Sequence, residues 1–367
     1  MTTIARMSAT FVVSLVLSFI VGLAGAAQSF AKDIIVTGVK PDKLVVIDAK
    51  ARKVLNTFTI PKGAPGPLTI TPSPDGKVAY VLVNRWESVS GIDLDTGKEV
   101  VRMNFSGGDM RVKSIAGMDV TPDGKHLAVF ESPVKLLPGE YQVQPTRIAF
   151  YDTKSGKRVR TIPAPRQCTI LFFNADGSRL QAMCRGLYVI DPKDGKIIAE
   201  HKTQRWTRKN FAPPDILNFW SQWEQAGVFS TPYYTARTDK KPDDPTAYWT
   251  GILTLDLKSG EFKLKDVENT DIFYFSSVVS PTKPNLVFGV YNQLAKLDIK
   301  AGKSLGRTNL DHSYYAINIS SDGKEVYVAG TLSDIGVYDT ETLKKIGSIE
   351  MPAGANMAIS SIRVIKR

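Results

Sequence analysis

Short runs of alternating apolar and polar residues, broken by Asp, Gly and Lys, recur along this chain from about residue 33 to its end. One pattern returns seven times: VVIDAKARK at 45–53, SGIDLDTGK at 90–98, AFYDTKSGK at 149–157, YVIDPKDGK at 188–196, LTLDLKSGE at 253–261, AKLDIKAGK at 295–303 and GVYDTETLK at 336–344. Each copy is an apolar alternation, an aspartate able to bond its own turn, usually a glycine, and a second β-rich run, which predicts strand, tight turn, strand. A second turn family lies upstream of the pattern: SPDGK at 73–77, TPDGK at 121–125, NADGS at 174–178, SPTKPN at 280–285 and SSDGK at 320–324. Each unit therefore holds four short strands, and their repetition predicts an all-β, seven-bladed β-propeller.

The ends of the chain fit a closed ring. The first aspartate repeat lacks a full strand-turn unit before it, while GANMAISSIRVIKR at the C-terminus ends in an orphan strand. That strand is predicted to complete the first blade, forming one propeller domain over 32–367 and removing an exposed sheet edge. Two insertions interrupt the repeat, at 131–147 in blade three and 203–251 in blade five. Both Asp-Gly turn families fall on one face of a four-stranded blade, so the insertions and crossovers fall on the other, and function is expected on that loop face.

Offsets from the turns place several residues where the innermost strands begin, around the central channel. They are Arg111 and Lys113, Arg166 and Gln167, Phe229 to Tyr234 with Tyr233 among them, Phe273 to Phe275 including Tyr274, and His312 to Tyr315 including Tyr314. Aromatic residues concentrate in the blade-five insertion: four of the five tryptophans (Trp206, Trp220, Trp223 and Trp249) lie there with Phe211, Phe219 and Tyr248. Phe219, Trp220 and Trp223 are read as partner contacts, and Phe229, Tyr233 and Tyr234 as approaching a pocket shared with another subunit.

Composition adds compartment and charge. Arg6 precedes an uncharged run at 11–24, followed by small residues, which is the layout of a secretory signal peptide over 1–31, cleaved near 26/27 or 31/32. The run is short for a membrane span, which needs about 20 residues, so the mature chain is expected to be exported to the periplasm with no span. Removing Arg6 leaves 46 Lys and Arg against 36 Asp and Glu, a charge of +10 from Lys32 onward. The lysines are dispersed through turns with no basic-aromatic run, so nucleic acid is not the expected partner. Cys168 and Cys184 flank NADGS, and a three-residue hairpin loop with Asn174 facing Ser178 sets them opposite one another. That register predicts a disulfide; a register slip of one residue leaves two buried thiols instead.

Cofactor motifs are missing from the chain. Neither cysteine begins a C-x-x-C-H haem motif, and His126, His201 and His312 fall in different blades with no zinc spacing. Of the three, His312 stands at the channel mouth and is the functional candidate. Glu140 and Glu224 are loop carboxylates that could serve as acid or base.

The stretches between repeats carry a more specific signal. PDKLVVID (41–48), ESPV (131–134), VQPTR (143–147), APRQ (164–167), TPYYTAR (231–237), DPTAY (244–248), FYFS (273–276) and HSYY (312–315) together resemble the beta subunit of quinohemoprotein amine dehydrogenase, over essentially the whole mature chain. The resemblance implies a YVTN-repeat propeller in a periplasmic heterotrimer that oxidatively deaminates primary amines. In that family a dihaem cytochrome c alpha subunit carries haem c, a small gamma subunit carries a cysteine tryptophylquinone, and the propeller binds no cofactor while helping to enclose the substrate cavity. Two other readings stand beside it: a quinone built on this chain from Trp220 and Trp223, and a stand-alone propeller acting as a lactonase or binding protein. No residue of this chain is assigned a catalytic role.

Overall fold

The computed structural model describes residues 32–204, 206–216, 222–269 and 272–367. The expected signal peptide, Phe219 and Trp220 lie outside the described residues. Seven antiparallel sheets follow one another around the ring, and the chain is a seven-bladed β-propeller. Among the described residues no helix is long and apolar enough to cross a membrane.

The first blade is closed as the sequence predicts. Its strands run in the order Lys53–Thr59, Lys43–Asp48, Asp33–Val39 and Ile362–Lys366, so the C-terminal strand is innermost and Arg363 lies opposite Val36. Paired backbone bonds between Lys32 and Arg367 extend the closure. All seven repeat aspartates accept a hydrogen bond from their own turn, for example Asp93 from the Thr96 amide at 2.7 Å and Asp256 from the Ser259 amide at 2.7 Å. An Asp side chain satisfies turn donors that no strand reaches, which is why the pattern punctuates every blade. The two turn families share one face: the Thr153 hydroxyl donates to the Gly124 carbonyl at 2.7 Å and the Thr340 hydroxyl to the Gly323 carbonyl at 2.8 Å.

The core lies between neighbouring blades, where alternate residues of adjacent sheets interdigitate. Tyr80, Leu82, Val89 and Met103 of blade two pack with Leu127, Val129, Ala149 and Tyr151 of blade three in one such layer. Each blade thus buries both faces against its neighbours, and burial of this apolar surface is the dominant stabilising term.

Blade five departs from the sequence reading. Its strands are Asp215–Ile216, Val228–Ala236, Tyr248–Asp256 and Phe262–Asn269, in that order from the channel outward. Phe229, Tyr233 and Tyr234 therefore sit on the second strand, not at the start of the innermost one. The preceding turn is Trp223–Gly227, closed by the Gly227 amide bonding the Trp223 carbonyl at 2.9 Å with Gly227 at φ +65°. It plays the role of the Asp-Gly turns in a sequence, WEQAG, that lacks their signature. The third strand also begins at Tyr248, inside the stretch read as insertion. Arg111 and Lys113 shift too: they lie on Met110–Lys113, which pairs with the far end of His126–Leu137 in a flap completed by Glu140–Val143. The innermost strand of blade three is Met118–Val120.

Cys168 and Cys184 are joined in a disulfide. The hairpin register differs from the predicted one by one residue: Phe173 faces Leu180 and the Asn174 amide bonds the Arg179 carbonyl. Cys168 lies before the first paired residue, Ile170, beside Gln167 at φ +62°, and this irregular approach lets the sulfurs meet despite the shifted ladder.

Candidate functional site

Near the axis, Met118, Thr169, Ile170, Gln222, Trp223, Ser361 and Arg363 are among the described residues that line a small cavity of about 20 Å³, room for about one water. Trp223, expected as a partner contact, points into the ring, its indole 5.0 Å from Phe172 and 4.9 Å from the Arg363 guanidinium. Arg363 also pairs with Glu224, and the Gln225 amide donates to the Val364 carbonyl at 2.7 Å, tying blade five to blade one across the axis. Opposite stands Asp119, buried, accepting the Phe173 amide at 2.8 Å. Burial pushes its carboxyl up to about 6, the Phe173 hydrogen bond and the Arg363 charge pulling the other way. Burial likewise lowers the Arg363 guanidinium to about 10. A charged residue inside IRVIK and another inside GMDV were the sequence signals for this pair, each lying within an innermost strand.

The aromatic residues divide by role. Phe229 and Tyr233 are fully buried: Phe229 stacks on Phe172 at 4.7 Å, and the Tyr233 hydroxyl donates to Asp266 at 2.6 Å, a carboxylate also held by Arg208. Tyr274 donates to Glu268 at 2.8 Å, and Tyr314 to Asp334 at 2.6 Å. Burial and the neighbouring carboxylate push all three phenols well above the ordinary tyrosine range, so they stay neutral donors bracing the blades. His312 joins the Asp334 brace, its Nε2 at 2.7 Å from the carboxylate. Glu140 is exposed on the flap. Arg166 lines a separate cavity of about 380 Å³ with Arg185, Glu200 and Lys202, apart from the channel.

Tyr234, Phe273, Phe275 and Tyr315 form the part of the predicted set that the fold brings together at the loop face. Tyr234 stacks on Phe273 at 4.3 Å with the rings 6° from parallel. Phe273 meets Phe275 at 5.5 Å, and Phe275 meets Tyr291 at 4.4 Å and Tyr315 at 4.8 Å. This ladder crosses blades five, six and seven. Phe273 is 41% exposed although it lies between stacked rings. Beside it opens a groove of about 370 Å³ lined by Tyr234, Tyr248, Trp249 and Phe273, with Asp215 as its one carboxylate among the described residues. Tyr291 escaped the sequence reading because it ends the second strand of blade six, Leu286–Tyr291, on the loop face, where no repeat marks it. Aromatic faces with one acid at the rim suit an organic ammonium group, which the ring quadrupoles and the carboxylate both attract.

No family model matches the chain, and no curated protein matches it. Solved structures do. Hydrazine synthase of Kuenenia stuttgartiensis superposes with a TM-score of 0.59 at 16% identity, over 82% of this chain and 90% of that one. A functionally unknown protein from Desulfotomaculum acetoxidans DSM 771 superposes with a TM-score of 0.57 at 14% identity, over 91% of this chain and 98% of that one. At such identities the likeness is one of fold.

Proposed function

We propose that this chain is the propeller subunit of a periplasmic amine dehydrogenase, binding no redox group itself and docking by its loop face onto a small quinone-bearing gamma subunit and a dihaem cytochrome c alpha subunit. The observation that carries the reading is the groove of Tyr234, Tyr248, Trp249, Phe273 and Asp215 beside the ladder. The motifs that resemble the amine dehydrogenase beta subunit supply part of its wall, through TPYYTAR, DPTAY and FYFS. Rigid aromatic side chains bury large area at small entropic cost, which suits an interface that must also exclude water. In such an assembly the partner's quinone supplies the electron sink for amine oxidation. The residues of this chain gather the ammonium group at Asp215, hold its alkyl or aryl body against the rings, and keep bulk water out so that the neutral amine is favoured further in.

The reading with a quinone on this chain loses support, because Trp223 is packed between Phe172 and Arg363 near the axis. The stand-alone hydrolase reading needs His or carboxylate groups converging at the channel mouth. Among the described residues no three His, Cys, Asp or Glu stand close enough to share a metal ion, and the cavity near the axis holds about 20 Å³.

Amine-dependent dye reduction by the native assembly tests the proposal. Asp215→Asn should raise KM for a primary amine about fivefold with kcat unchanged, the loss of one exposed charge contact. An assembly inactive with every primary amine, or a KM indifferent to Asp215, contradicts it.

A further inference from the structure

Away from the ladder, the loop face carries a second cavity, of about 370 Å³, where blades one, two and three meet. Its charged lining is Lys40, Arg85 and Lys113, with no carboxylate among the described residues, and its apolar lining includes Leu68, Trp86 and Ile359. Among the described residues neither the Lys40 nor the Arg85 side chain has an acidic partner. The carboxylate within ion-pair reach of Lys113 is Glu87, at 3.9 Å, and Glu87 is already held by Arg111 through Nε at 2.9 Å and Nη2 at 2.7 Å. Three like charges around one concave space raise the local potential and draw an anion.

The backbone adds a second, independent observation. Asn84, Arg85 and Trp86 stand consecutively at φ +54°, +53° and +70°, and Ile359 across the cavity stands at +65°. Side chains other than glycine seldom adopt this conformation, and where they do the surroundings hold them there, often at ligand sites. Here the left-handed run sets a guanidinium and an indole on the wall of the same cavity. A guanidinium fork and two ammonium groups match a carboxylate, while Trp86, Leu68 and Ile359 offer a flat apolar wall that a bare inorganic anion cannot use.

We propose that this cavity binds a small organic carboxylate with a flat apolar body, held by Arg85, Lys113 and Lys40 at its charged end and by Trp86, Leu68 and Ile359 along its body. The site stands independently of the amine dehydrogenase reading, because it is tested on the purified chain without partners.

Isothermal titration of the full chain with benzoate, with its neutral isostere benzamide and with inorganic phosphate is the test. Benzoate should bind one per chain, weakening as salt is added, with benzamide and phosphate each about tenfold weaker. Arg85→Met should weaken benzoate about tenfold with an unchanged unfolding midpoint, since Arg85 is exposed on a loop, and Arg166→Met should leave it unchanged. Benzamide binding as tightly removes the charge argument; phosphate binding as tightly makes this a bare anion site; absence of benzoate binding at millimolar concentration ends the proposal. Should Arg85→Met fail to fold, the benzoate–benzamide comparison on the unaltered chain still decides.

Discussion

The buried carboxylate in the channel gives the folded protein a pH dependence of unusual sign. Asp119 rises from an ordinary 3.8 to about 6 on folding, so the folded state holds its proton more tightly than the unfolded chain. Its contribution to stability is therefore full below about pH 4 and is lost as the pH rises through 6, where ionisation inside the ring becomes costly. The difference between those pKa values corresponds to about 3 kcal/mol. Asp119→Asn removes the titration and keeps an oxygen to accept the Phe173 amide, now at 2.8 Å from the carboxylate. The variant should match the unaltered chain near pH 4, gain stability over it by about 1.4 kcal/mol per pH step, and level off above pH 6 about 3 kcal/mol ahead. Urea unfolding midpoints collected from pH 4 to 8 for both proteins read this directly. Hydrogen-bonded turn aspartates such as Asp93, Asp152 and Asp339 have lowered pKa values and lose their stabilisation as pH falls, but they are common to both proteins and cancel in the difference. A gap independent of pH, or a variant less stable at pH 7, refutes the reasoning.

The remaining predictions concern the frame. The Cys168–Cys184 bridge closes a loop with a sequence separation of 16, so Cys168→Ser with Cys184→Ser should cost about 3 kcal/mol in urea unfolding; an unchanged midpoint contradicts it. Gly251 faces Tyr233, and an added Cβ would lie 2.0 Å from its Cζ, so Gly251→Ala should destabilise the isolated chain by about 3 kcal/mol through forced displacement of a buried ring, seen in the same measurement. Phe273→Asp should cost the isolated fold only about 1 kcal/mol, the value of one stacked pair, while abolishing assembly with partners; a mutant that assembles normally rules the ladder out as the docking surface.

What could be read from the sequence was short in range. The seven repeat aspartates were legible because each bonds a turn within three residues of itself, and the orphan strand Ile362–Lys366 because a ring must close. The blade-five strands differ from expectation because Trp223–Gly227 turns without Asp-Gly, so the repeat spacing runs one strand out there and points Phe229 and Tyr233 to the channel instead of the core. The cysteines were paired from a register the hairpin does not use. Asp119 with Arg363, and Lys40 with Arg85 and Lys113, are assembled from different blades, and no local pattern announces contacts made only when the ring closes.

Recovery of this chain from its native periplasm under non-denaturing conditions tests the central claim most directly. The account predicts that it comes down with a haem-staining chain and a small quinone-staining chain in equal proportion, and that Phe273→Asp recovers the propeller without them. A propeller recovered alone, with neither stain in any co-purifying band, contradicts the account.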